Sequence, residues 1–179
     1  KFFLKKLQTN IIKYEALSLA VLGFTKEHNI EIEQEFSILV NSGPGSFSGI
    51  RIALAVTKGI QLVKKMNVYS YNNFILNAAP YLKNKNKLIS IIKTNNFYYY
   101  LNVSVGKNST FSDPKKLDSS YLEKDNSTVV VPEELKNDEI IKNIDKKKVC
   151  IAKFDLKNVD ILIENNLLQN KLIKPLYLS

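Results

Sequence analysis

The stretch "NSGPGSFSGIRIALAVTKGI", Asn41 to Ile60, constrains the fold more than any other part of the chain. Gly43, Pro44, Gly45 and Gly49 follow the apolar run "FSILV" and lead into a long apolar segment. The layout predicts a strand, a tight glycine loop over about 42–49, and a helix over about 50–65. Loops of this kind can hold a phosphate on backbone N–H groups or lift a nucleophile out of a sheet. Each such use needs particular side chains, and they are missing. A phosphate-binding P-loop requires Lys and Ser or Thr directly after its last glycine; here Ile50 and Arg51 follow Gly49. A nucleophile elbow needs serine at the centre of Gly-x-Ser-x-Gly, and "GSFSG" has Phe47 there. The dinucleotide pattern Gly-x-Gly-x-x-Gly fails at Ser48.

The helix after the loop is apolar all round. Ile50, Ile52, Leu54, Val56, Ile60, Leu62 and Val63 surround it, with Gly49, Ala53, Ala55 and Gly59 between them. Such a helix packs on more than one side. The helix expected over 10–27 has the same excess, with Ile11, Ile12, Tyr14, Leu17, Leu19, Val21, Leu22 and Phe24. Two such helices side by side form an association surface if nothing in the chain covers them.

The remaining chain chemistry is sparse. His28 is the one histidine; it falls near a helix end and reads as a capping residue. Cys150, the one cysteine, reads as a buried strand residue in "KKVCIA" and fits a reducing compartment. No catalytic or metal-binding cluster is visible. The net charge is +9, but all of the 26 basic residues except Arg51 are lysine, scattered along the chain. That reads as compositional bias rather than a built nucleic-acid patch. Arg51 stands out as the one guanidinium, inside the glycine stretch, and reads as an interaction residue because lysine cannot replace its planar fork.

No apolar run is long enough to span a bilayer, and the first residues do not read as a secretory signal. Residue 1 is Lys, in what reads as mid-strand "KFFLKKL", so the chain is expected to begin inside a larger protein. Strands are further expected at 36–40, 68–71, 88–93 and 96–105, the last two joined by a turn at 94–96. "TVVV" and "KKVCIA" supply two more. Helices are expected over 72–82, from Pro132 onward and over 160–168; 106–127 reads as loop, and "KPLYLS" as extended. Alternating strands and helices define an α/β class. The polar break "NKNK" suggests lobes of 1–84 and 85–179.

"GPGSFSGIRIALAVTKGI" also resembles the signature of the TsaB (YeaZ) family of bacterial tRNA threonylcarbamoyladenosine biosynthesis proteins. Gly43, Pro44, Gly45, Ser46, Phe47, Gly49, Arg51, Leu54, Ala55, Lys58 and Gly59 match it; Ser48 stands for Thr and Ala53 for Gly. "PLYL" near the C-terminus is similar to the family's ending. The family's first strand is absent, Lys13-Tyr14-Glu15 stands where the family often has His-Ser-Glu, and "IKTNNFYYY" lacks an acidic motif of the second lobe.

The resemblance implies an actin/Hsp70-like ATPase (ribonuclease H-like) fold in two lobes, the second reduced and divergent. It implies a cytoplasmic, non-catalytic subunit that pairs with a TsaD-like transferase and a TsaE-like ATPase. Together these make N6-threonylcarbamoyladenosine at position 37 of ANN-reading tRNAs. ATP and metal would belong to the partners, with no cofactor on this chain. Contact with tRNA would be indirect or weak, and the isolated chain could pair with a second copy. The expected interface comprises Tyr14, Leu17, Arg51, Ala55, Lys58 and Gly59, beside the glycine loop of Gly43, Pro44, Gly45, Ser46, Phe47, Ser48 and Gly49. Two alternatives remain: a nucleotide-binding module using the N–H groups of Gly45 to Gly49, and a glycoprotease-like peptidase.

Overall fold

The computed structural model describes residues 14–32, 36–83, 87–94, 96–104, 110–118, 121–122, 125–142, 144–155, 157–170 and 173–178. The chain divides into two units: Lys1–Ser70 with Gln169–Pro175, and Tyr71–Leu168 with Leu176–Ser179. The sequence break at "NKNK" suggested 84/85 instead. The division falls at Tyr71 because the helix after it packs on the sheet of the second unit.

The first unit contains α1 (Tyr14–Glu27), β1 (Ser37–Asn41), α2 (Phe47–Lys64) and most of β2 (Asn67–Tyr71). The strand expected in "KFFLKKL" and the first residues of the helix expected from Asn10 lie outside the described residues. α1 ends where Asn29 turns left-handed (φ 52°) and the Ile30 N–H reaches the Thr25 carbonyl at 2.8 Å. This backbone closure ends the helix. The ring of His28 packs edge-on against Phe24, with centroids 4.7 Å apart.

α2 begins three residues earlier than its apolar pattern suggests, because Ser46 caps it. The Ser46 Oγ accepts from the Gly49 N–H at 3.4 Å, and its carbonyl accepts from the Ile50 N–H at 2.9 Å. That is the ordinary satisfaction of first-turn donors. At the far end Lys65 is left-handed (φ 54°) and its N–H reaches the Gln61 carbonyl. α2 buries Ile50 and Leu54 against Val40 of β1 and Val68 of β2, with Ile173 packed alongside. β1 and β2 pair. Ser70 and Gln169 exchange two backbone hydrogen bonds of 2.7 and 2.8 Å, which fastens the late segment to β2.

The second unit is built on a mixed sheet of order β5 (Thr110–Phe111), β4 (Phe97–Ser104), β3 (Lys87–Thr94), β7 (Thr128–Pro132), β8 (Val149–Ala152), with β6 (Lys115–Lys116) on β4. β3 (Lys87–Thr94) and β4 (Phe97–Ser104) form the expected hairpin, in register from Lys87↔Ser104 to Thr94↔Phe97. Asn96, left-handed at φ 64°, turns it, a conformation asparagine tolerates. β7 (Thr128–Pro132) runs parallel to β3, and β8 (Val149–Ala152) parallel to β7. Side chains of a strand alternate between faces, and both faces of β3 are covered. Leu88 joins Phe74, Ile75, Leu101 and Leu162 on one side. Ile89 and Ile91 join Val129, Val131 and Leu135 on the other. Two-sided burial explains why "LISII" carries apolar residues on both faces, with the small Ser90 also buried among them, rather than alternating apolar with exposed polar residues.

Several expected elements differ. The helix over 72–82 is α3 (Asn73–Ala78) followed by a 3-10 turn at Ala79–Tyr81, because Pro80 has no N–H to continue the ladder. Pro132 closes β7 instead of opening a helix; a 3-10 turn at Glu133–Leu135 and the short α4 (Glu139–Lys142) follow. The last helix, α5, spans Lys157–Glu164 rather than 160–168. Asp155 accepts from the Lys157 N–H at 2.9 Å before it, and Asn166 is left-handed (φ 54°) after it. The loop expected over 106–127 contains the two-residue strands β5 (Thr110–Phe111) and β6 (Lys115–Lys116). Cys150 lies on β8 as expected but is half-buried, not buried.

Candidate docking face and glycine loop

Asn41, at the end of β1, shapes the loop: its Oδ1 accepts from the Gly43 N–H at 2.8 Å. Gly43 has φ 114°, a conformation open in practice to glycine alone, and the Gly43–Pro44 peptide is cis. Ser42, Gly43 and Pro44 are buried, whereas Gly45, Ser46, Phe47 and Ser48 are exposed and Gly49 is half-buried. The hydroxyls of Ser46 and Ser48 lie 3.3 Å apart. Ser46 takes up the N–H groups of Gly49 and Ile50, two of the donors that an anion at this helix start would need. The loop is therefore arranged to start α2. Its exposed Phe47 ring lies under the Arg51 guanidinium at 3.9 Å, a cation–π contact that anchors the chain's one arginine at the first turn.

The exposed side of α2 carries the residues singled out in the sequence. Arg51, Ala55, Lys58 and Gly59 are all exposed, and Leu62 and Val63 beside them are 81% and 78% exposed. At 3.6 residues per turn these six positions span about 140° of the helix. On α1, Leu19 and Leu22 are 66% and 61% exposed, Gly23 is exposed, and Leu17 is half-buried. Tyr14 opens α1, and its side chain lies outside the described residues. Between the two helices runs an apolar groove of about 500 Å³ lined by Val21, Leu22, Ala55, Gly59, Ile60 and Val63. The sequence pointed to Ala55 and Gly59. It missed the exposure of Leu62 and Val63, because an apolar residue on an all-apolar helix does not announce which side is covered.

Gly23 and Gly59 share a further property. A Cβ added at either one would meet nothing within 4 Å. Glycine inside a helix costs about 1 kcal/mol relative to alanine, and the described packing of this unit does not require it at either position.

The second unit contains a polar cluster that the sequence did not reveal. The Asp138 carboxylate accepts from Lys93 Nζ at 2.9 Å, from the Tyr98 hydroxyl, and from the Ile140 N–H at 3.2 Å. The Tyr98 hydrogen bond, reinforced by Lys93, holds the Asp138 carboxyl down at about 2. The same bond to Asp138 raises the Tyr98 hydroxyl. The three residues come from β3, β4 and the segment before α4, and they tie these elements together. Among the described residues no three His, Cys, Asp or Glu side chains converge on a metal-sized site. No described helix is long and apolar enough to cross a membrane.

The strand, the helix-capping loop, the packed helix pair and the mixed sheet of the second unit define an α/β protein of the actin-like class. That class is the fold of two solved structures similar to it. One is YeaZ from Pseudomonas aeruginosa, with a TM-score of 0.62 at 14% identity over 92% of this chain and 84% of that one. The other is described as an uncharacterized protein with similarity to peptidase YEAZ from Pseudomonas aeruginosa. It has a TM-score of 0.60 at 13% identity, over 92% and 83%. In sequence the chain is 35% identical over 78 residues to the tRNA threonylcarbamoyladenosine biosynthesis protein TsaB of Buchnera aphidicola subsp. Baizongia pistaciae (strain Bp). That match takes in 42% of this chain and 35% of the relative, so the chain spans about a third of the length of the curated relative it matches. No family model matches. The chain is thus TsaB-like in sequence and YeaZ-like in fold.

Proposed function

We propose that the chain is a non-catalytic partner subunit in the synthesis of N6-threonylcarbamoyladenosine at position 37 of ANN-reading tRNAs. It docks through the α1–α2 face on a TsaD-like subunit, and serves it as a dimerisation scaffold. The transferase chemistry, the metal and the ATP belong to the TsaD-like and TsaE-like partners, and the assembly works in the cytoplasm. The likeness to TsaB supports the pathway. The observation that carries the docking role is the exposed helix pair: Leu19, Leu22, Leu62 and Val63 stand in solvent around two glycines with open space at their Cβ positions. Exposed apolar area of this kind marks an association surface, and small residues let a partner helix approach closely.

The test is depletion of the full-length protein in its host, with N6-threonylcarbamoyladenosine quantified in bulk tRNA by nucleoside mass spectrometry. Modification should fall, and should return with the parent protein but not with Leu62→Asp. Undiminished modification in depleted cells contradicts the proposal.

A further inference from the structure

α2 carries cations and no acids. Its sequence "FSGIRIALAVTKGIQLVK", with the following Lys65, contains Arg51, Lys58, Lys64 and Lys65 and neither Asp nor Glu. Arg51 and Lys58 lie seven residues apart, within about 20° of one another on the helix, and Lys65, the left-handed residue that closes it, follows at the same interval. Ala55 and Leu62 lie about 20–60° to one side of Arg51 and Lys58, and Gly59 and Val63 lie farther round on that side. All seven are exposed. A solvated helix face ordinarily mixes signs, and oppositely charged pairs at i, i+4 stabilise it. Here no acid stands within a turn of Lys58 or Lys65 along the helix. The described end of α1 contributes Lys26 and Glu27, one of each sign.

We infer that the partner of this face presents a helix with a small or apolar contact stripe flanked on one side by carboxylates, spaced to meet Lys58 and Lys65. The inference rests on the reading of α1–α2 as the docking face and specifies the chemistry of what docks there. A protein helix fits better than RNA because the cation row borders a stripe with Leu62 and Val63 at 81% and 78% exposure. A phosphate backbone would leave that stripe uncovered, whereas a protein interface buries an apolar centre behind a polar rim. Charges at a rim act mainly on encounter, and the buried centre acts mainly on dissociation.

The experiment measures association and dissociation rates of the full-length protein with the TsaD-like subunit of the same genome. Salt is varied between about 50 and 500 mM, which shortens the screening length several-fold. The parent is compared with the double variant Lys58→Glu/Lys65→Glu and with Leu62→Asp. Circular dichroism verifies that each is folded, and Val63→Asp replaces Leu62→Asp if that variant does not fold. The association rate should fall about tenfold with salt and by a similar factor in the double variant, with dissociation little changed. The apolar variant should dissociate faster. If it does so while the association rate ignores both salt and charge reversal, the docking face stands and the acidic flank is refuted. If the apolar variant binds like the parent, the docking face itself fails and the inference falls with it. If charge reversal weakens tRNA binding but not partner binding, the cation row is an RNA contact and the inference is overturned.

Discussion

Gly59→Ala should raise stability and lower partner affinity at the same time. The substitution places a methyl group where nothing lies within 4 Å, in the middle of an 18-residue helix. Alanine is favoured over glycine there by about 1 kcal/mol, because it restricts the unfolded chain and costs the folded one nothing. For a chain of this length that corresponds to a melting temperature higher by about 2–4 °C. In the complex the same methyl sits where a partner backbone must approach. Overpacking a closely packed contact costs about 1–3 kcal/mol, so affinity should drop roughly fivefold to 150-fold. Calorimetric melting of the full-length protein and titration with the TsaD-like subunit read the two effects separately. A higher melting temperature with unchanged affinity would remove Gly59 from the contact. A lower melting temperature would show that the methyl meets something in the folded chain, and would refute the placement of this face in solvent.

Three further outcomes follow from the same geometry. Gly43→Ala should destabilise the first unit by about 1–2 kcal/mol, since φ 114° is strained for any residue with a Cβ; chemical denaturation measures it. The Tyr98 hydroxyl, with Lys93, holds the Asp138 carboxyl down at about 2, below the ordinary aspartate range. Its contribution is therefore present above about pH 4 and is lost as pH falls from there towards 2. Asp138→Asn should remove on the order of 1 kcal/mol at neutral pH, discounted for partial solvent screening, and should flatten acid unfolding; unchanged acid unfolding in that variant would dismiss the cluster. The isolated chain should show neither peptidase nor threonylcarbamoyl-transferase activity, and turnover that survives removal of all partners and disappears on substitution of a residue in this chain would overturn its non-catalytic role.

Local signals in the sequence were legible and long-range ones were not. The glycine loop was recognisable because Gly43 and Pro44 leave few backbone options, and the β3–β4 hairpin because two β-rich runs flank a polar turn at Asn96. Element ends were harder. Ser46 and Asp155 start helices through caps that an apolar-periodicity reading passes over. Pro80 marks a boundary that the periodicity alone extends across, and Pro132, read as the opening of a helix, closes a strand instead. The return of Gln169 to Ser70 and the meeting of Lys93 and Tyr98 with Asp138, 45 and 40 residues away, depend on tertiary contacts with no local signature. For the docking face, the sequence showed an excess of apolar residues on α1 and α2. Only the fold shows which of them remain in solvent, and that Gly23 and Gly59 have no neighbour at their Cβ.

The most direct test of the account is amide hydrogen exchange of the full-length protein, alone and with the TsaD-like subunit added. Peptides covering Leu19–Lys26 of α1 and Ala55–Val63 of α2 should exchange more slowly in the complex, with the second unit unchanged. Complex formation with unaltered exchange in both helices, or with protection confined to the second unit, would contradict it.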